Sequence, residues 1–276
     1  MPLVAAAVCP HPPLIVPELA GAAAPELDAL RVACDTAVAG LYAAGATTVV
    51  VVGSGERTAD LDSPYRGSFA PWGLPLEVRL GDRPDGAIGT DGLPLSLLVG
   101  AWLLRRVPLP AGRTASVAPV TPPAGRTVQV APPAARTPNA ARTPPAPAGW
   151  RMVSVAPDAP MRECAAAGAR IGSDQPWALL VMGDGSACHG PTSPGYDDPR
   201  AGAYDDGVAR ALADADAEAL LGLDPVRSAE LRVAGRAPWQ VLAGAVRATG
   251  GDWRGELRHH SAPYGVGYFV ASWERA

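Results

Sequence analysis

Two short segments of this chain combine a histidine with turn-forming neighbours, Cys9-Pro10-His11-Pro12-Pro13 and Met182-Gly183-Asp184-Gly185-Ser186-Ala187-Cys188-His189-Gly190. Each follows an apolar run, Leu3 to Val8 and Trp177 to Val181, that reads as a buried strand. Ligands of open α/β sheets gather at the carboxyl ends of strands, so two of the chain's four histidines stand where chemistry is expected. A lone histidine in such a loop often does no more than hydrogen-bond a turn. Two in matching contexts point to one shared cleft, with His189 as acid/base and His11 lining the same pocket. Asp184 has two readings, a carboxylate that fixes the loop or orients His189, and a turn residue of an Asp-Gly pair. Cys188 also has two, a thiol activated by a nearby positive charge and an inert buried thiol.

The elements that must position these residues follow from hydrophobic period. Pro25 to Ala44 carries Leu27, Leu30, Val38 and Leu41 at helical spacing, and strand Thr47 to Val52 follows, which makes a β-α-β unit. Its exit loop, Gly53-Ser54-Gly55-Glu56-Arg57, lacks the third glycine and the following helix of a dinucleotide fingerprint, because Asp60 to Pro71 is rich in turn residues. Leu74 to Leu80 alternates as a half-buried strand, and Leu93 to Arg106 reads as an apolar helix. Further on come strand Met152 to Val155, helix Met161 to Ile171, strand Trp177 to Met182, and helices Pro199 to Leu212 and Ala215 to Leu223. Ser228 to Ala248 reads as one long amphipathic helix bent near Pro238. Tyr264 to Trp273 is a closing strand, and His259 and His260 fall in a polar stretch expected to be a solvated loop before it.

The fold expected is α/β: a single domain over residues 1–276 with a central, mostly parallel or mixed sheet flanked by helices. Val107 to Gly149, dominated by Pro, Ala, Arg and Thr with a loose Arg-Thr repeat, has no apolar period and is expected to be a flexible, disordered insertion within it.

Composition narrows the partners. A net charge of −4 offers no general attraction for nucleic acid or an anionic membrane. Every basic residue is Arg and Ala, Gly and Pro abound, a bias that suits an actinobacterial, GC-rich genome. Four scattered cysteines make neither a disulfide framework nor a Cys-x-x-Cys zinc site, and together with the absence of a basic leader they lead us to expect a cytoplasmic protein.

His11 with its prolines, the run ending at His189, Ala234-Gly235-Arg236-Ala237-Pro238-Trp239-Gln240-Val241-Leu242, and Ala262-Pro263-Tyr264-Gly265-Val266-Gly267-Tyr268 together resemble the catalytic chains of the class III extradiol ring-cleavage dioxygenases, a superfamily that includes the Memo-like proteins. The resemblance spans roughly residues 1 to 104 and 150 to 276, and is closest to an actinobacterial branch. It implies a non-haem Fe(II) held by two His and one carboxylate, with a further His moving protons. By motif His11 matches the first ligand and His189 the acid/base. The second ligand position, a His in the family, falls in the loop Gly53-Ser54-Gly55-Glu56-Arg57, which has no histidine, and the third near Ala234-Gly235, where no side chain binds metal; Glu56 and Glu230 are the nearby substitutes.

Two functions follow. One is an extradiol dioxygenase-like protein with a degenerate metal centre and no resident cofactor, acting as a pocket-containing binding protein or a non-redox enzyme using His189. The alternative is an active Fe(II)-dependent dioxygenase that cleaves a catechol-like ring, an oxidoreductase. In either case the partner expected is a small aromatic molecule, with self-association or a second, smaller protein partner left open.

Overall fold

The computed structural model describes residues 2–81, 92–108 and 149–276. The Pro-rich insertion expected from the sequence lies almost wholly outside the described residues.

In chain order the elements are β1 (Leu3–Cys9), α1 (Pro17–Ala20), α2 (Asp28–Ala43), β2 (Thr48–Ser54), β3 (Ala59–Leu61), β4 (Tyr65–Ser68), β5 (Glu77–Leu80), α3 (Leu95–Arg106), β6 (Gly149–Val155), α4 (Met161–Arg170), β7 (Trp177–Met182), α5 (Arg200–Ala213), α6 (Ala217–Leu221), α7 (Pro225–Glu230), α8 (Arg236–Thr249), β8 (Trp253–Ser261) and β9 (Tyr268–Arg275). Among the described residues, seven strands join one sheet in the order β3-β6-β2-β7-β1-β9-β8, and β4 and β5 form a separate hairpin. The four central strands β6, β2, β7 and β1 are parallel, while β3, β9 and β8 pair antiparallel at the flanks. This is the α/β domain with a mixed central sheet that the strand and helix periods predict.

The central strands are apolar on both faces because helices cover both. Leu3, Ala6 and Val8 of β1 join one core, with α4, α5 and α8; Ala5, Ala7 and Cys9 join the other, with α2 and α3. The connections explain the division. From β1 to β2 and from β2 to β6 the chain steps across the sheet in one direction and lays α2 and α3 on one face. From β6 to β7 it steps back and lays α4 on the opposite face, as right-handed crossovers require.

Three expectations need correction. Ser228 to Ala248 is not one helix: α7 stops at Glu230, Arg232 takes a left-handed φ of 53°, and α8 starts at Arg236. Pro238 does not bend it, because the third position of a helix needs no intrahelical N–H. The turn-rich Asp60 to Pro71 stretch contains β4 and part of β3. Finally, His259 and His260 lie in β8, an edge strand whose half-solvated pattern resembles a loop in sequence.

Candidate functional site

β1 leaves the sheet toward α2 on one face, and its neighbour β7 leaves toward α5 on the other. Diverging exits of adjacent parallel strands open a crevice at their carboxyl ends. His11 sits on the exit of β1, and Asp184 and His189 on that of β7. In the ladder His259 pairs with Val270 and His260 with Phe269, at the start of β9, while Val8 near the end of β1 pairs with Ala271. All four histidines therefore stand at one edge of the sheet, the one to which the parallel strands point.

Their carboxylates differ. His11 is 8% exposed, and its backbone N–H donates to Asp184 Oδ1 at 2.8 Å. Its Nδ1 is 3.6 Å from the same oxygen, within reach of ionic attraction but too long for a hydrogen bond, and is buried with no hydrogen-bond partner. The carbonyl of Asp184 accepts the N–H of Gly235 at 2.8 Å, which ties the start of α8 to the β7 exit. Asp184 thus fixes its loop, the first of its two readings, and binds it to β1 and α8. Burial raises the Asp184 pKa, against the charge of His11 and the His11 N–H, which lower it.

His189 meets Asp205, a carboxylate that the sequence reading did not single out. His189 Nε2 lies 2.7 Å from Asp205 Oδ2; the histidine side chain is 22% exposed and the aspartate side chain 1%. The orienting role offered to Asp184 therefore falls to Asp205, because α5 crosses the face toward which the β7 exit turns. Asp205 also accepts the Ser186 N–H at 3.0 Å. Its carboxylate is lodged against two glycines: a Cβ on Gly185 would come within 2.7 Å of Oδ2, and one on Gly267 would overlap that oxygen. The two glycine segments hold each other, with Gly185 N–H donating to Gly267 O at 2.7 Å and His189 N–H to Gly265 O at 3.1 Å. Burial raises the Asp205 pKa, while the Ser186 N–H, the His189 hydrogen bond and the charges of His189 and His260 lower it.

Asp205 had a signal in the sequence. On α5 it falls in register with Ala201, Val208, Ala209 and Leu212, all buried, so it is an aspartate on the apolar stripe of an amphipathic helix. A charge in that position needs a partner.

The remaining residues are dispersed. Cys188 is buried, and a Cβ on Gly195 would lie 2.5 Å from its Sγ. Glu56 is exposed in the loop after β2. Glu230 pairs with Arg200 at 2.8 Å on the surface. His259 hydrogen-bonds Ser261 Oγ at 2.7 Å, and burial, with the charge of His260, lowers its pKa. At the position implied for a second metal ligand, Ser54 Oγ donates to Ala234 O at 2.6 Å. Among the described residues no group of three or more His, Cys, Asp or Glu side chains is spaced to hold a metal ion. Among the described residues the donors around His11 do not fit a facial triad: Asp184 is the carboxylate beside it, and Glu56 and Glu230 stand on the surface. A surface groove of about 590 Å³, bordered by Glu18, Val78, Trp102 and Arg105, contains none of the histidines.

A test of the Asp184 environment follows. With its folded-state pKa above the unfolded value of about 3.9, this carboxyl favours the folded state below about pH 4, and that contribution is lost as pH rises through the folded value. Asp184→Asn keeps an acceptor for the His11 N–H and removes the buried charge. Its thermal midpoint should exceed that of the wild type at pH 7, and the gap should close near pH 4. Equal midpoints at both pH values would contradict the assignment.

No family model matches the chain, and no curated protein matches it. Among solved structures it is similar to uncharacterized protein JW3007 from Escherichia coli K12, at 11% identity and a TM-score of 0.45, over 98% of this chain and 99% of that one. Among the described residues no helix is long and apolar enough to cross a membrane.

Proposed function

We propose that this protein is a non-redox enzyme that moves a proton on a small aromatic substrate at the carboxyl edge of its sheet, with His189 as the general acid/base. The observation that carries the reading is the 2.7 Å contact of His189 Nε2 with a carboxylate that is almost wholly buried. An ionised Asp205 accepts a hydrogen bond from Nε2–H, fixing the tautomer and leaving Nδ1 to accept a proton from substrate and return it. The carboxylate also supports the imidazolium formed in between. His189's partial exposure lets substrate reach the ring, and the backbone bond to Gly265 holds the loop still. The domain is then an extradiol dioxygenase-like one whose metal centre is degenerate, with His11 lining the crevice beside Asp184.

The test uses purified full-length protein before and after chelator treatment, with p-nitrophenyl acetate and phenylpyruvate as hydrolysis and tautomerisation probes, and catechol with an oxygen electrode. Turnover of a proton-transfer probe that survives the chelator, with substoichiometric iron and no oxygen uptake, is the expected result. Stoichiometric iron, lost in His11→Ala together with catechol-dependent oxygen consumption, would restore the dioxygenase.

A further inference from the structure

A second imidazole, His260, is linked to the Asp205 neighbourhood through the Phe269 ring. In the β8–β9 ladder His260 stands opposite Phe269, and its ring stacks on the Phe269 ring with centroids 4.6 Å apart and planes 22° from parallel. The far side of the same neighbourhood is closed by Trp239, edge-on to Phe269 at 5.8 Å. Phe269 reaches the same glycine as the carboxylate: a Cβ on Gly185 would meet Phe269 Cε2 at 2.6 Å and Asp205 Oδ2 at 2.7 Å. The ring beneath His260 therefore borders the buried carboxylate, and the bare Cα atoms of Gly185 and Gly267 leave the approach open.

We propose that His260 is a positioning residue of the site: held flat on Phe269 at the exposed end of β8, it supplies, when protonated, a positive charge near the buried Asp205 carboxylate that orients His189. This rests on the acid/base reading of His189. His260 touches neither substrate nor reacting atoms; it acts through Asp205, on which its protonated ring exerts an attraction that favours the ionised form. Among the described residues, few groups face Asp205. His189 approaches from the β7 exit, the Ser186 N–H from the same loop, His260 from β8, and Tyr204 is its neighbour on α5, with its phenol bonded to Ser228 Oγ at 2.7 Å. On β8 itself, Arg258 is engaged by Glu256 and Ser272, and His259 by Ser261. The burial of Asp205 lets a nearby charge act on it with less screening than between two exposed groups, while the exposed His260 is itself partly screened. This coupling also makes the carboxylate sensitive to acidity at the surface, where His260 is exposed while Asp205 is not.

The experiment follows the Asp205 carboxyl carbon by NMR in ¹³C-aspartate-labelled full-length protein between about pH 3 and pH 8. His260→Gln should make Asp205 bind its proton about threefold more tightly, moving its titration upward by about half a pH unit. His260→Arg, which keeps a cation able to stack on Phe269, should restore the wild-type curve, and His260→Phe, which keeps only the stack, should not. An unchanged Asp205 curve in His260→Gln, or rescue by Phe and not by Arg, would overturn the proposal and leave His260 a packing residue. The readout needs no turnover, so its failure is distinct from failure of the acid/base reading, which would show as probe turnover indifferent to His189→Ala while the Asp205 titration still responds to His260.

Discussion

Replacing His189 with Ala should lower turnover of a proton-transfer probe by about 10²- to 10⁴-fold, the usual contribution of a positioned general acid/base. Asp205→Asn should fall in the same range with His189 still present. The carboxamide presents an N–H₂ or a neutral carbonyl where an ionised carboxylate accepted the Nε2–H bond, so the imidazole loses its fixed tautomer and the support for its cation. The loss should appear in kcat with little change in KM, because neither group is asked to bind ground-state substrate. Asn has nearly the shape of Asp against Gly185 and Gly267 and still accepts the Ser186 N–H, so circular dichroism should show a native fold. The double variant should lose little more than either single one, as expected when two residues act as a unit. A tenfold or smaller effect in His189→Ala, in protein that unfolds normally, would remove His189 from the chemistry.

Gly244→Leu should destabilise the fold by at least about 3 kcal/mol, and Gly168→Leu comparably. The two glycines are where α4 and α8 touch backbone to backbone. A Cβ on Gly168 would overlap the Val241 carbonyl oxygen and come within 2.6 Å of the Ala245 nitrogen; one on Gly244 would overlap the Ala165 carbonyl oxygen and approach its Cα at 2.6 Å. Backbone atoms cannot rotate aside as a side-chain tip does, so the helices must separate. The consequence reaches the site, since α8 follows directly on Gly235, which bonds the Asp184 carbonyl, and carries Trp239, whose indole nitrogen would lie 2.9 Å from a Cβ on Gly183. Gly202→Ala on α5 is the control: apart from its own helix backbone and chain neighbours, no described atom lies within 4 Å of the added methyl, and helix propensity should raise stability by about 0.5–1 kcal/mol. Urea denaturation of the three variants checks both signs, and a stabilised Gly244→Leu would contradict the close crossing.

The parts of the fold readable from the sequence are those whose burial is local in sequence. Runs such as Val49 to Val52 and Ala178 to Val181 are apolar at every position because both sheet faces are covered, and the helical periods of α2, α3 and α4 show which stripe of each is buried. The runs Leu3 to Val8 and Trp177 to Val181 end where Pro and Gly begin, which places His11 and His189 beyond strand ends before any contact is known. The separate helices α7 and α8 were not readable, because the break rests on the left-handed Arg232 and on Gly235 rather than on the Pro238 that the eye takes for a breaker. β8 was not readable either. An edge strand needs only its partner's hydrogen bonds, and its half-exposed residues, Arg258 to Ser261 among them, carry the polarity of a loop.

From the order of residues alone it follows that two histidines leave the carboxyl ends of strands; the place of Asp205 on the apolar stripe of α5 was there to be read but was not singled out. It took the folded arrangement to establish that Asp205 meets His189 while Asp184 meets His11, and that the His260 ring stacks on Phe269. Periodicity reports which side of an element is buried, since burial repeats with the geometry of the backbone. It carries nothing about which buried group faces which. That pairing depends on crossovers sending α2 and α5 to opposite faces of one sheet, and on Gly185 and Gly267 leaving the space through which a helix carboxylate 16 residues away reaches the ring.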